Sequence, residues 1–145
     1  MTVIVLAVDG SAHSLGAASW VADTGALATP RVVHVLHVSP MLGRTGFSAV
    51  DFEQENRESA RLAFEGARRI LDGHAAEIHD HWLRGDAADS IAGFAAEHRA
   101  DLVVLGAKGM GAIKAALTGS VVSKVVAQSS VPTIVVNARD AETHP

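Results

Sequence analysis

Cysteine and tyrosine are both absent from the 145-residue sequence, aromatic side chains make up only 4% of it, and there are 4 prolines. Without thiols there is no disulfide framework, no thiolate metal site and no cysteine nucleophile, a usage that fits a reducing compartment. A basic excess is also missing. Twelve Lys+Arg stand against 16 Asp+Glu, a formal net charge of -4, so no whole-molecule field favours nucleic acid or an anionic membrane, and neither is expected as a partner. Long hydrophobic runs are lacking too. The opening run Val3 to Val8 stops at Asp9 with no basic residue before it, too short for a signal peptide or a membrane-spanning helix. A cytoplasmic location is the default expectation.

What is present is a globular composition. Hydrophobic residues make up 48% and charged residues 19%, too apolar for a disordered chain. The length suits a single domain. We expect it to occupy residues 1–138, followed by a polar tail over 139–145.

Short apolar runs alternate with helical periodicity along the chain. Thr2 to Val8, Val32 to Val38, Leu102 to Leu105 and Val131 to Val136 read as strands buried in a parallel sheet, and Glu77 to Leu83 as a polar strand at an edge. Ser11 is placed to cap a first helix carrying Leu15, Ala18 and Ala22. A second helix is expected from Phe52 to His74, with Ala60, Ala63, Ala67, Ile70 and Leu71 on one face and supportive Glu53/Arg57 and Glu65/Arg69 pairs. Asp86 caps a third helix, and Val121, Val122, Val125 and Val126 mark a fourth. The stretch Ser39 to Val50 reads as a mobile loop. The pattern predicts an α/β fold with helices on both faces of a parallel sheet.

In such folds ligands bind beyond the carboxyl ends of the strands, where the strand order reverses. Strand one ends in Asp9-Gly10-Ser11, and strand four runs into Gly106-Ala107-Lys108-Gly109-Met110-Gly111, continuing to Gly119-Ser120. Glycine at Gly106, Gly109 and Gly119 permits positive φ and close approach of main-chain N–H groups to a ligand. Gly119-Ser120 opens a helix whose N-terminus attracts anions, with Ser120 as the expected N-cap. A phosphate group suits this loop, with Lys108 or Lys114 to balance its charge. General phosphate-loop templates fail: Ala112-Ile113 stands where a Walker A loop needs Lys-Ser/Thr, and Lys114 replaces the last glycine of a dinucleotide fingerprint.

The spacing Gly106-x2-Gly109-x9-Gly119-Ser120 instead resembles the ATP-binding signature of the universal stress protein family. The resemblance extends through Val8-Asp9-Gly10-Ser11, His37-Val38, Gly85-Asp86-Ala87, Ala100 to Gly106, and Gly119 through Val126 to Val131-Pro132. It implies a doubly wound five-stranded parallel sheet in the order 3-2-1-4-5, Rossmann-like, with ATP, alone or with Mg, between the ends of strands one and four. Carried over residue by residue, the resemblance puts Asp9 by adenine and ribose and gives Val38 main-chain hydrogen bonds to the adenine edge. Gly106, Lys108 and Gly109 would follow the ribose and α-phosphate, and Gly119, Ser120 and Val121 the outer phosphates. Lys108 stands where many members have arginine, and Val122 where Ser or Thr is frequent, removing one hydroxyl donor.

The implied role is an ATP-binding stress-response regulator, acting through nucleotide-dependent conformation and through dimer or partner contacts. The last strand, Thr133 to Val136, is the expected homodimer edge, and a protein partner is left unidentified. Two alternatives stand beside it: a receptor module for AMP or cyclic AMP, and a structural or interaction protein of the same fold without nucleotide. No nucleophile with its base and no catalytic acid pair is evident, which leaves at most slow ATP hydrolysis or self-phosphorylation. His79, His81 and nearby His74 are a conceivable metal set but fit a polar edge strand better, and His34 and His37 fall on opposite strand faces with structural roles.

Overall fold

The computed structural model describes residues 1–41, 49–108 and 119–137. Its elements alternate strictly: β1 (Thr2–Ala7), α1 (Ala12–Asp23), β2 (Arg31–Ser39), α2 (Ala49–Leu71), β3 (Glu77–Arg84), α3 (Ala87–Glu97), β4 (Leu102–Gly106), α4 (Ser120–Gln128) and β5 (Thr133–Val136). The five strands form one parallel sheet in the order β3-β2-β1-β4-β5. This is the expected α/β architecture and strand order.

Both faces of the sheet are covered. On one, Ile4, Leu6, Val33, Val35 and Val104 pack against Ala17, Ala18 and Val21 of α1 and Ala63, Ala67 and Leu71 of α2. On the other, Val5, Leu36, Val103 and Leu105 meet Ile91, Phe94 and Ala95 of α3 and Val122 and Val125 of α4. Two-sided burial explains why the central strands read as unbroken apolar runs. Among the described strands β3 pairs only with β2, and its more polar, more exposed sequence marks it as an edge strand.

Local signals set the helix starts. Ser11 accepts a hydrogen bond from the Ser14 N–H, and Asp86 accepts one from the Asp89 N–H, each satisfying a helix-start donor. α2 starts before the expected Phe52 and stops before the expected His74. Gly73 adopts a φ of 81° just after Leu71, and the His74 N–H turns back to the Leu71 carbonyl at 2.8 Å, so the left-handed glycine ends the helix. β5 starts two residues later than its apolar run, because Pro132 has no N–H to give the ladder. Most of the expected Ser39–Val50 loop lies outside the described residues. Ser39 itself closes β2, and Ala49 opens α2.

Candidate functional site

β1 is flanked by β2 and β4, and the chain crosses to opposite faces of the sheet on either side of it. Its carboxyl end is therefore where the loops diverge. A cleft of about 490 Å³ opens there, within the usual range for small-molecule sites. Its floor is the ends of β1, β2 and β4 (Ala7 to Asp9, Leu36 to Pro40, Leu105 and Gly106), and its walls come from α2, α3 and the start of α4.

Of the expected ligand residues, the structure brings Asp9, Val38, Gly106, Lys108, Gly119, Ser120 and Val121 to this one cleft. Gly109, with Gly111 and Lys114, lies outside the described residues. Among the described lining residues Asp9 is the only carboxylate and Lys108 the only amine.

Each wall has an identifiable local cause. The Asp9 carboxylate accepts the Ser11 N–H at 2.9 Å, and the Asp9 N–H is held by the Ser14 hydroxyl at 3.3 Å. This turn fixes the carboxylate beside the α1 start. Ser11 also donates its hydroxyl to the Lys108 carbonyl at 3.4 Å, linking the β1 and β4 exits. On β2, the Leu36 carbonyl accepts the Val8 N–H at 2.8 Å. Main-chain groups alternate sides along a strand, so those of Val38 point the same way, past the end of β1 and toward the cleft.

The opposite wall is the α4 N-terminus. Gly119, not Ser120, is the N-cap, and no side chain caps the helix. Ser120 has already entered helical geometry, and its hydroxyl is not spent on a capping bond. The first turn of α4 contains no acidic residue, and its N–H groups stand as anion donors at the positive end of the helix dipole.

Gly106, which lines the cleft, also has a packing reason to be glycine. Neither it nor Gly119 adopts positive φ; among the described glycines that conformation is taken by Gly10, Gly73 and Gly85. A Cβ on Gly106 would fall 2.5 Å from the His13 carbonyl carbon, so glycine there lets α1 sit directly on β4.

Residues outside the expected set complete the lining. His37 is buried and donates its Nδ1–H to the Val8 carbonyl at 2.8 Å, which fixes the tautomer. Ser39 is buried and receives the Trp82 indole N–H at 2.9 Å. Asn56 and Ser59 enter from α2. The signal for Asn56 was available in the helical period: it lies one turn before Ala60 on the stripe that continues through Ala63, Ala67 and Leu71, a polar residue on a buried face.

A second cluster lies away from the cleft, on the α3 side of β2 and β3. His34 Nδ1 and His81 Nε2 are 3.0 Å apart, and the His34 ring has His79 and His98 within 5.4 Å. Burial, followed by the neighbouring imidazoles, holds the pKa of both His34 and His81 below the ordinary histidine value. Among the described residues no group of three or more His, Asp or Glu is placed to hold a metal ion. No described helix is long and apolar enough to cross a membrane.

Comparison with known proteins gives a consistent family. The family model described as "Universal stress protein family" matches residues 1–137. A universal stress protein of Methanocaldococcus jannaschii is 29% identical over 136 residues, covering 92% of this chain and 80% of that protein. One of Thermus aquaticus is 34% identical over 144 residues, covering 92% of this chain and 96% of that protein. Among solved structures, the universal stress protein from Archaeoglobus fulgidus superposes with a TM-score of 0.72 at 27% identity, over 94% of this chain and 93% of that one. The Archaeoglobus fulgidus protein in complex with dAMP superposes with a TM-score of 0.60 at 25% identity, over 94% and 97% of the two chains.

Proposed function

The chain belongs to the universal stress protein family, and from that premise we propose that it binds an adenine nucleotide in the cleft at the end of β1. In this reading ATP, with or without Mg, occupies the cleft, and its presence alters the surfaces offered to a second copy and to a protein partner in the cytoplasm.

The observation that carries the proposal is the convergence of chemically different walls on one cleft. The uncapped α4 N-terminus offers the N–H groups of Ser120 and Val121 as donors suited to phosphate, next to Gly119 whose own N–H is held by the Ala107 carbonyl, and Lys108 adds a positive charge. Val38 offers main-chain groups suited to a base edge, and Asp9 a carboxylate suited to ribose hydroxyls. That the Archaeoglobus fulgidus protein forms a complex with dAMP supports an adenine nucleotide as the ligand. The homodimer assigned to Thr133–Val136 is supported by the position of β5 at the sheet edge and by the exposure of Val135 and Val126.

A second reading has its own support. A mononucleotide receptor needs fewer phosphate donors, and Val122 offers no hydroxyl at the α4 start, while the solved relative carries a monophosphate.

The test is to denature freshly purified protein, identify released nucleotide by mass spectrometry, and titrate the stripped protein with ATP, AMP and cyclic AMP. ATP bound at least as tightly as AMP supports the leading reading. AMP or cyclic AMP bound at least tenfold tighter than ATP replaces it with the receptor reading. No released nucleotide and no binding at millimolar concentration overturns both and leaves the interaction-protein alternative.

A further inference from the structure

Asn56 stands out among the cleft residues. It is only 8% exposed, and its Nδ2 is buried with no hydrogen-bond partner among the described residues. It lines the cleft from α2, beside an otherwise small apolar stripe of Ala60, Ala63, Ala67 and Leu71. Buried amides are almost always paired, because an unpaired donor loses its water bonds and gains nothing in return. An aliphatic residue there would fill the same stripe without this cost. An orphaned amide in the wall of a ligand-sized cleft is the signature of a group whose partner arrives with the ligand.

The topology says which part of the ligand it meets. β1 separates the ends of β2 and β4 in the sheet. The α4 N-terminus, suited to phosphate, stands at the β4 side, and α2 packs over β2 and β3 on the other side. Asn56 thus lies at the Val38 end of the cleft, away from the phosphate end. It shares that end with His37, Val38, Ser39 and Pro40.

We propose that Asn56 is a further ligand-binding residue of the cleft, whose side-chain amide hydrogen-bonds the edge of the nucleotide base; this rests on the nucleotide-binding reading above. The carboxamide presents a donor and an acceptor side by side, the complement of the 6-amino group and the neighbouring ring nitrogen of adenine. Half a turn about its Cβ–Cγ bond exchanges the two, so the side chain meets either order of groups along that edge. Val38 supplies main-chain groups to the same base, and Asn56 adds a side-chain contact to its edge.

The proposal makes an unusual pair of demands on one substitution. Asn56→Leu keeps the branching at Cγ and the number of side-chain heavy atoms and removes the orphaned donor. In the ligand-free protein its thermal midpoint should equal or exceed that of the wild type, while calorimetry with AMP should show about tenfold weaker binding, the worth of one buried hydrogen bond. Asn56→Ala, which leaves space instead of shape, is read alongside and should lose a similar factor. Unchanged AMP affinity, within twofold, in both variants overturns the assignment and leaves the nucleotide reading intact. Loss of ligand-free stability in both variants identifies Asn56 as a structural amide and also overturns it. Failure of the wild-type protein to bind AMP or ATP at millimolar concentration overturns both the assignment and the reading beneath it.

Discussion

Gly106 at the end of β4 rests against the main chain of His13: a Cβ added there would lie 2.5 Å from the His13 carbonyl carbon and 2.7 Å from both its oxygen and the Ser14 nitrogen. Those atoms belong to the first turn of α1, where Ser14 and the preceding Asp9 turn line the cleft. Backbone cannot swing aside as the tip of a side chain can. Gly106→Ala should therefore push α1 off the sheet, costing about 2–3 kcal/mol by urea unfolding and weakening nucleotide binding at the same time. An alanine variant as stable as the wild type would show that α1 gives way more easily than this contact implies.

Gly93 makes the opposite case. It is exposed in the middle of α3, and a Cβ there meets nothing within 4 Å. Glycine then only adds freedom to the unfolded chain. Gly93→Ala should stabilise the protein by roughly 0.5–1 kcal/mol without altering nucleotide affinity. A higher urea midpoint with an unchanged denaturant slope is the expected observation.

These two glycines illustrate what was legible in the sequence. The runs Val3 to Val8, Val32 to Val38 and Leu102 to Leu105 betray a doubly covered parallel sheet because burial on both faces leaves no polar alternation to confuse the period. The cleft was legible as far as it is built from strand ends and the α4 start, since Asp9, Val38, Gly106 and Ser120 sit at switch points that topology brings together. The reason for Gly106 was not legible, because the sequence does not say that α1 passes across that position. Asn56 escaped for a related reason: the helical period places it on the buried face, but only the packing of α2 over β2 turns the end of that face into a cleft wall.

The imidazoles of His34 and His81 predict a pH dependence. Their 3.0 Å contact requires one ring to donate and the other to accept, so it cannot survive protonation of both. Burial and the neighbouring imidazoles lower both pKa values, with His79 and His98 also facing His34 and Glu77 opposing; around His81, His98 and His79 act in the same direction and Asp80 opposes. Below about pH 6.5 the unfolded chain, with ordinary histidines, therefore takes up protons before the folded one does. The stability associated with this pair is fully present above that pH and falls as pH drops toward the lowered folded values. Urea unfolding between pH 7.5 and 5 should show this decline, and a His34→Gln/His81→Gln double variant should flatten it. A decline of equal steepness in the double variant would assign it to other groups.

Val122 provides a test of where the outer phosphates lie. It is the third residue of α4, buried against the α3 face yet part of the cleft lining, and carries no hydroxyl beside the helix-start N–H groups. Val122→Thr keeps the branched shape and adds one donor at that end. The hydroxyl is partly taken out of water, so the ligand-free protein should lose about 1–2 kcal/mol. A hydrogen bond to a charged group contributes roughly 1.5–3 kcal/mol, so ATP should bind about tenfold tighter than to the wild type, and adenosine, which lacks phosphate, with unchanged affinity. Calorimetry on both ligands separates the outcomes. Equal gains for ATP and adenosine would place the new hydroxyl against the nucleoside, and no gain for ATP would place the outer phosphates away from the α4 N-terminus.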